Sequence, residues 1–414
     1  MKKTLLRITA LAATLLAAGL AQAETKLDVL TWFSADQAKT FQAAITEYEA
    51  AHPGVKIKLN TVAGTGAATF PNVLRTRIAG GQAPDIFTMW GGSLAGPFVD
   101  SKAALDLAPY YKKYSWDAIL LPSAVNAVKR NGTTWGAPID LRAVSFFYRK
   151  DNFKKAGVAV PASFAELEAA CEKLKAQQIT CVSAAGTFGW HVMRLFDFFL
   201  EHTAGPEMHD QLLTGKTSWD RPEVVQAFAL LKKWTANGWL PSGYMGISPD
   251  QAQQLFLQGK AAMILEGDWF VTNSNAAGLT PEQYGFFVPP TDKTPARLEG
   301  FAEQFMIAKQ SKNPDAAAEF VNWWLQPATQ NKYYSVNGSS ATKDAAPDAA
   351  KNPQGATYVK MIAANPTYMI MDQAFPPEMM STTYYRLQSA VAAGQTTPEA
   401  AAKEMQAGVA GIGK

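Results

Sequence analysis

Cysteine is nearly missing: the 414 residues hold only Cys171 and Cys181, ten positions apart. That spacing is not CxxC, which excludes a redox dithiol of the usual kind. In an oxidising compartment two nearby cysteines can pair. Spacing alone leaves two buried thiols as the alternative. Histidine is also scarce: His52, His191, His202 and His209 form no HExxH and no zinc pattern with cysteine. No metal and no cofactor are expected. The nucleophile elbow GxSxG is absent, since Gly92-Ser93-Leu94-Ala95-Gly96 has the wrong spacing. Gly215-Lys216-Thr217 resembles the end of a phosphate loop, but Asp210 stands where its first glycine belongs. Gly64-Thr65-Gly66 lacks the third glycine of a dinucleotide fingerprint, which would fall at Thr69. It reads as a strand-to-helix turn, and Gly64 is kept as a candidate ligand contact.

Charge of one sign is missing too. The 38 basic and 35 acidic residues become equal once Lys2, Lys3 and Arg7 are set aside. No basic footprint for nucleic acid remains. Those three residues precede an apolar run, Ile8 to Leu20, that is short for a membrane span. Ala21-Gln22-Ala23 then fits a small-x-small cleavage site. Residues 1–23 are therefore expected to be a secretory signal, with Glu24 first in the mature chain. No cysteine follows the run to carry a lipid anchor. Export to the periplasm is expected.

What is present is a 48% hydrophobic chain with only 18% charge, far from a disordered composition. Strand-like runs alternate with helix signals, which predicts α/β architecture. Leu27 to Trp32 reads as a strand; Ser34 with Gln37 is a capping box, and Phe41, Ile45 and Tyr48 recur at helical spacing. Val55, Ile57 and Leu59 alternate with lysines as a half-exposed strand. A helix is expected over Asn72 to Ala79 and a strand over Asp85 to Trp90. Val144 to Tyr148 and Ala262 to Leu265 read as buried strands. Capping-box spacing recurs at Ser163 with Glu166, Asp220 with Glu223 and Ser248 with Gln251. Asn313-Pro314 opens a helix, and another runs from about Thr397. Composition shifts at Gly136-Ala137-Pro138, Val288-Pro289-Pro290 and Asn337-Gly338-Ser339-Ser340 suggest three crossings between two lobes.

Tryptophan is abundant, with 11 residues. Trp32, Trp90, Trp190 and Trp269 sit near strand ends or in loops beside glycine, whereas Trp234, Trp323 and Trp324 sit inside periodic runs and read as core. Ligands of open α/β sheets bind outside the carboxyl ends of strands. A pyranose offers an apolar C–H face to a flat indole. Its hydroxyls need polar partners, because one left unpaired on burial costs about 1–3 kcal/mol. Asp140, Arg142, Asp268, Glu303 and Gln304 are the polar candidates. Glu266 and Asp268 flanking Gly267 would also suit a carboxylate-based glycosidase, so a secreted carbohydrate-active enzyme is the rival of another class.

The chain resembles the sugar-binding solute-binding proteins of ABC importers, the maltose-binding-like extracellular family 1. The matching stretches are Tyr48 to Val55, Gly80-Gly81-Gln82-Ala83-Pro84-Asp85-Ile86, Pro138 to Tyr148, Phe256 to Met263, Gly267-Asp268-Trp269 and Asn313 to Ala317 with Phe320. The resemblance implies two α/β lobes with three interlobe crossings and a ligand cleft between them. The lobes are expected at 24–138 plus 291–340 and at 139–290 plus 341–414. It implies a monomeric, non-enzymatic component that binds a sugar, closes by hinge motion and docks on membrane permease subunits. Position by position, Trp90 matches an aromatic after the Pro-Asp-Ile strand, and Trp269 a stacking tryptophan. Tyr384 falls where maltose binders stack a tryptophan. Trp190 matches a second-lobe aromatic. Arg142 stands where maltose binders carry an acid, which argues against maltose itself. Five candidate aromatics favour a di- or oligosaccharide. Within the same fold a monosaccharide, sugar phosphate, polyamine or ferric ion remains open; iron binders use paired tyrosines, and Tyr110-Tyr111, Tyr333-Tyr334 and Tyr384-Tyr385 are present.

Overall fold

A computed structural model describes residues 24–62, 69–130, 132–334, 338–410 and 412 of the chain. The signal-like residues 1–23, Gly64 and Asn337 lie outside the described residues. Among the described residues, apart from a short separate pair at Lys129–Arg130 and Thr133–Thr134, the alternating runs become nine strands: β1 (Thr25–Thr31), β2 (Val55–Thr61), β3 (Ile86–Trp90), β4 (Ala137–Arg149), β5 (Thr180–Ser183), β6 (Ala261–Gly267), β7 (Tyr284–Phe287), β8 (Leu298–Ile307) and β9 (Thr367–Met369). They join in one sheet ordered β2-β1-β3-β8-β4-β6-β5, with β9 added to β8 and β7 to β4. β1 and β2 run parallel, Leu27 opposite Ile57, which places α1 (Ala35–Ala51) as their crossover. Further helices are α2 (Phe70–Ala79), α3 (Phe164–Ala176), α4 (Trp190–Ala204), α5 (Pro222–Ala236), α6 (Pro249–Leu257), α7 (Trp269–Ala276), α8 (Pro314–Trp324), α9 (Pro353–Ala364), α10 (Tyr385–Ala392) and α11 (Pro398–Val409). Among the described residues no helix is long and apolar enough to cross a membrane.

Local chemistry sets most helix starts. Ser34 and Gln37 close both bonds of their capping box, as do Ser248 and Gln251. Ser163 caps α3, but the Glu166 carboxylate accepts from the Ala162 N–H instead of returning to Ser163. Asp220 does not cap α5. Pro222, whose locked φ suits the first helical position, moves the start past it and puts Arg221 at the cap. Cys171 of α3 and Cys181 of β5 form a disulfide, with Cα atoms 5.0 Å apart.

Among the described residues the core falls into four clusters, and the two largest mark the lobes of a two-lobe α/β fold. Leu27, Phe41, Ile139, Phe305 and Trp324 share one cluster; Val144, Phe146, Phe196, Trp234 and Phe301 share another. Strands β4 and β8 belong to both. Leu141 packs in the first core and Val144 in the second; on β8, Phe301 packs in the second and Phe305 in the first. The two strands lie antiparallel to each other from Glu299 opposite Val144 to Phe305 opposite Ala137, with an irregularity at Glu303/Gln304. No change of neighbours occurs at Val288-Pro289-Pro290. Arg297, beyond it, bonds Glu201 of α4 and Asp210, and Leu298 to Gly300 pair with β9. After the third candidate crossing, Ala341 still packs in the first core and Lys343 bonds the Asp117 and Ala118 carbonyls. Asn352 then meets Asn275 of α7.

Candidate functional site

Strands β1 and β3 are parallel neighbours, so their carboxyl ends open at the same edge. Trp32 follows β1 and Trp90 ends β3. Their indoles stack at 3.8 Å with an interplanar angle of 4°, and Phe70 of α2 meets the Trp32 ring edge-on at 5.0 Å. In the other lobe β6 ends at Gly267, and Trp269 opens α7. The Trp269 ring lies across the Gly267 Cα; a Cβ there would stand 2.0 Å from it. Glycine at 267 is therefore what lets the indole fold back. Gly189, at φ +78°, begins α4, and Trp190 follows. One turn later Arg194 places its guanidinium 4.3 Å from the Trp190 ring and 4.8 Å from the Trp269 ring. Such cation–π contacts hold both indoles in place.

Glu266, fully buried, gathers this wall. It accepts from Arg194 (3.1 Å), the Trp269 Nε1–H (3.1 Å) and Gln253 (2.9 Å), and it faces His191 at 3.3 Å. Burial alone would raise its pKa; the His191 contact and the His191 and Arg194 charges bring it below the ordinary carboxylate range. Glu299 stands 3.4 Å from the Arg194 Nε, close enough to attract without a hydrogen bond. Burial, opposed by Arg194, pushes its pKa up to about 8. Asp372 is raised to about 6 by burial, again opposed by Arg194.

A second buried group occupies the junction of the lobes. Arg142 of β4 pairs with Asp268 at 2.8 Å, Asp140 at 3.0 Å and Glu303 of β8 at 3.2 Å. Asp140 also accepts from the Glu303 backbone N–H at 2.9 Å. Three carboxyls share one guanidinium, so burial dominates: Asp140 is raised well above its usual value and Asp268 to about 6. Gly338, at φ +78°, presses on this pair; a Cβ would stand 2.4 Å from Asp268 Oδ2 and 2.6 Å from Arg142 Nη1.

Between the lobes lies a cavity of about 830 Å³. Trp32, Trp90, Trp190, Trp269 and Glu303 line it, as do Arg194, Asp372, Phe188 and Tyr385. Asp140, Arg142, Asp268 and Gln304 are buried behind it; Gln304 donates to the Trp90 carbonyl at 3.1 Å. Tyr384 does not reach the cavity. It is fully buried, its ring 5.4 Å from Phe196. Neighbours on a helix point about 100° apart, and the segment Met380–Tyr384 is π-helical, so Tyr385 is the ring that faces the opening. Sequence reasoning missed Arg194, whose one signal is its i+4 spacing from Trp190. Asp372 and Tyr385 offered none beyond the tyrosine doublet.

A model of the bacterial extracellular solute-binding proteins matches residues 34–331. The chain belongs to this family. This solute-binding protein is 25% identical over 368 residues to a probable sugar-binding periplasmic protein of Rhizobium meliloti, covering 86% of this chain and 85% of that one. It is 23% identical over 359 residues to an uncharacterized ABC transporter extracellular-binding protein of Pyrococcus horikoshii, covering 83% and 78%. Its fold matches a structure from work on xylan utilization by Caldanaerobius polysaccharolyticus with a TM-score of 0.81, at 26% identity and over 92% of this chain and 99% of that one. The family and the relatives from Rhizobium meliloti and Pyrococcus horikoshii are binding proteins by name.

Proposed function

We propose that this protein is the exported sugar-binding component of an ABC importer, taking a di- or oligosaccharide between its lobes. The observation that carries the reading is the cavity itself: about 830 Å³, with Trp32 and Trp90 from one lobe and Trp190 and Trp269 from the other. That volume lies in the upper part of the range for small-molecule sites. Glu303, Asp372 and Gln373 supply hydroxyl partners on its wall. The lobes exchange chain inside β4 and β8, between Leu141 and Val144 and between Phe301 and Phe305, and these strands serve as the hinge. A ligand touching both walls favours the closed arrangement by its differential affinity. The closed form delivers the sugar to membrane permease subunits, and the protein acts as a monomer in the periplasm. A sugar phosphate is disfavoured: among the described residues the one cation lining the cavity is Arg194, already engaged by Glu266 and Glu299.

The test is a melting-temperature screen against mono- and oligosaccharides, followed by calorimetry on each hit. Bound ligand at one hundred times Kd stabilises by about 2.7 kcal/mol. Trp269→Ala is expected to remove most of the affinity while the circular dichroism spectrum is kept. Unchanged affinity would take Trp269 out of the site, and turnover of the sugar would favour the enzyme reading.

A further inference from the structure

Two polar side chains on the cavity wall have no partner of their own. Asp372 and Gln373 both line the cavity. Among the described residues neither side chain makes a hydrogen bond or an ion pair. Asp372 is half-buried and Gln373 only 3% exposed. A polar group so enclosed is ordinarily satisfied within the chain, so the partner of these two comes from the space they face.

Their backbone is held from three directions. Ser93 Oγ lies 2.9 Å from the Asp372 carbonyl and 2.5 Å from the Phe375 carbonyl, able to donate to either. The Met371 N–H donates to Asp197 of α4 at 3.1 Å. A Cβ on Gly92 would collide with the Gln373 carbonyl, so the short helix Met371–Ala374 sits directly on the turn that follows β3. The two free side chains are thus preorganised, and a ligand that meets them has little ordering left to supply.

Charge decides what that ligand carries. The buried cations nearby are already overdrawn: Arg142 serves three carboxyls and Arg194 two. Arg194 acts on Asp372 only through space, and Glu299 and Asp197, which also act across space on this residue, are acids. Burial is therefore left to push the Asp372 pKa up to about 6. A sugar hydroxyl would fill a hydrogen bond here and leave the charge unanswered. An ammonium answers both, with three N–H donors and a positive charge, and its bond to a carboxylate is roughly twice as strong as a neutral one. The indole faces of the cavity attract the same group.

We propose that Asp372, with the Gln373 amide beside it, is the site for an ammonium group, and that the preferred ligand is a cationic amino sugar. This rests on the sugar-binding reading above and names the class of sugar.

The test uses the full exported chain and calorimetry in mildly acid buffer, where a sugar amine is protonated. The probes are one- to three-unit glucose and galactose sugars in matched amino, N-acetylamino and hydroxyl forms. The amino form should bind about tenfold more tightly than the hydroxyl form, equal to about 1.4 kcal/mol. Added salt should weaken the amino form and not the others. Asp372→Asn, which keeps the shape, should bring the ratio of amino to hydroxyl affinity to about one. Equal or weaker binding of the amino form, or a ratio that Asp372→Asn leaves as it was, overturns the ammonium site and leaves sugar binding standing. Binding of no sugar in any form overturns both.

Discussion

Glu266 shows what one side chain can do for a wall it does not itself form. Its carboxylate holds an indole N–H, a guanidinium and an amide at once, so the orientation of Trp269 and Arg194 depends on it. Breaking one partner out of a buried ion pair costs roughly 3 kcal/mol. Glu266→Gln keeps the shape and removes the charge. Its expected effect is about that loss in denaturant unfolding, together with roughly tenfold weaker sugar binding. A variant that unfolds more easily yet binds as before would leave Glu266 a purely structural acid. The same residues explain what could be read beforehand. Trp32, Trp90 and Trp269 stood out because strand ends and small residues flank them. Arg194 stayed hidden because its role arises from two rings brought together only by folding. Tyr384 is the position to which the resemblance to maltose binders points, but the π-helical turn Met380–Tyr384 buries it and leaves the opening to Tyr385.

Elements were legible where their causes are local. The Ser34 and Ser248 boxes act within four residues, and both close as their spacing indicates. Ser248→Ala should cost about 1 kcal/mol, read as a lowered midpoint in chemical denaturation; no change would mean that α6 is held by its packing alone. β8 was not legible. Leu298 to Ile307 is buried throughout, so it shows no alternation of exposed and covered positions. Glu299 and Glu303 further disguise it, because their partners Arg194 and Arg142 come from other segments. α4 keeps an apolar stripe in its sequence; what folding alone reveals is that its polar positions are covered as well, eleven of its residues being buried. The shift at Gly136-Ala137-Pro138 falls at the start of β4, just before Leu141 and Val144 part between the two cores, whereas β8 carries no such mark between Phe301 and Phe305.

For the molecule as a whole, the enclosed acids set how stability answers to pH. Asp268 and Asp372 titrate near pH 6 and Glu299 near pH 8 when folded, above the roughly pH 4 of an unfolded carboxyl. Their folded pKa values are raised, so the stability they contribute is present at low pH and lost as pH climbs through those values. Glu266 and Glu201 are lowered, so theirs is present above the ordinary carboxylate range and lost below it. The melting temperature should therefore peak in mildly acid solution and fall between pH 5 and pH 8. Glu299→Gln should flatten the upper part of that fall. A melting temperature that rises from pH 5 to pH 8 would contradict the assignment.

The long strand β8 also carries a consequence for biogenesis. β3 ends at residue 90, yet its antiparallel neighbour is residues 303–307, and the second core awaits Val391 and Val409. Neither half of the sheet can be completed while most of the polypeptide is still unmade. A chain of this design closes the β3 edge of its sheet only once β8 is made, and fills its second core only once α11 is made.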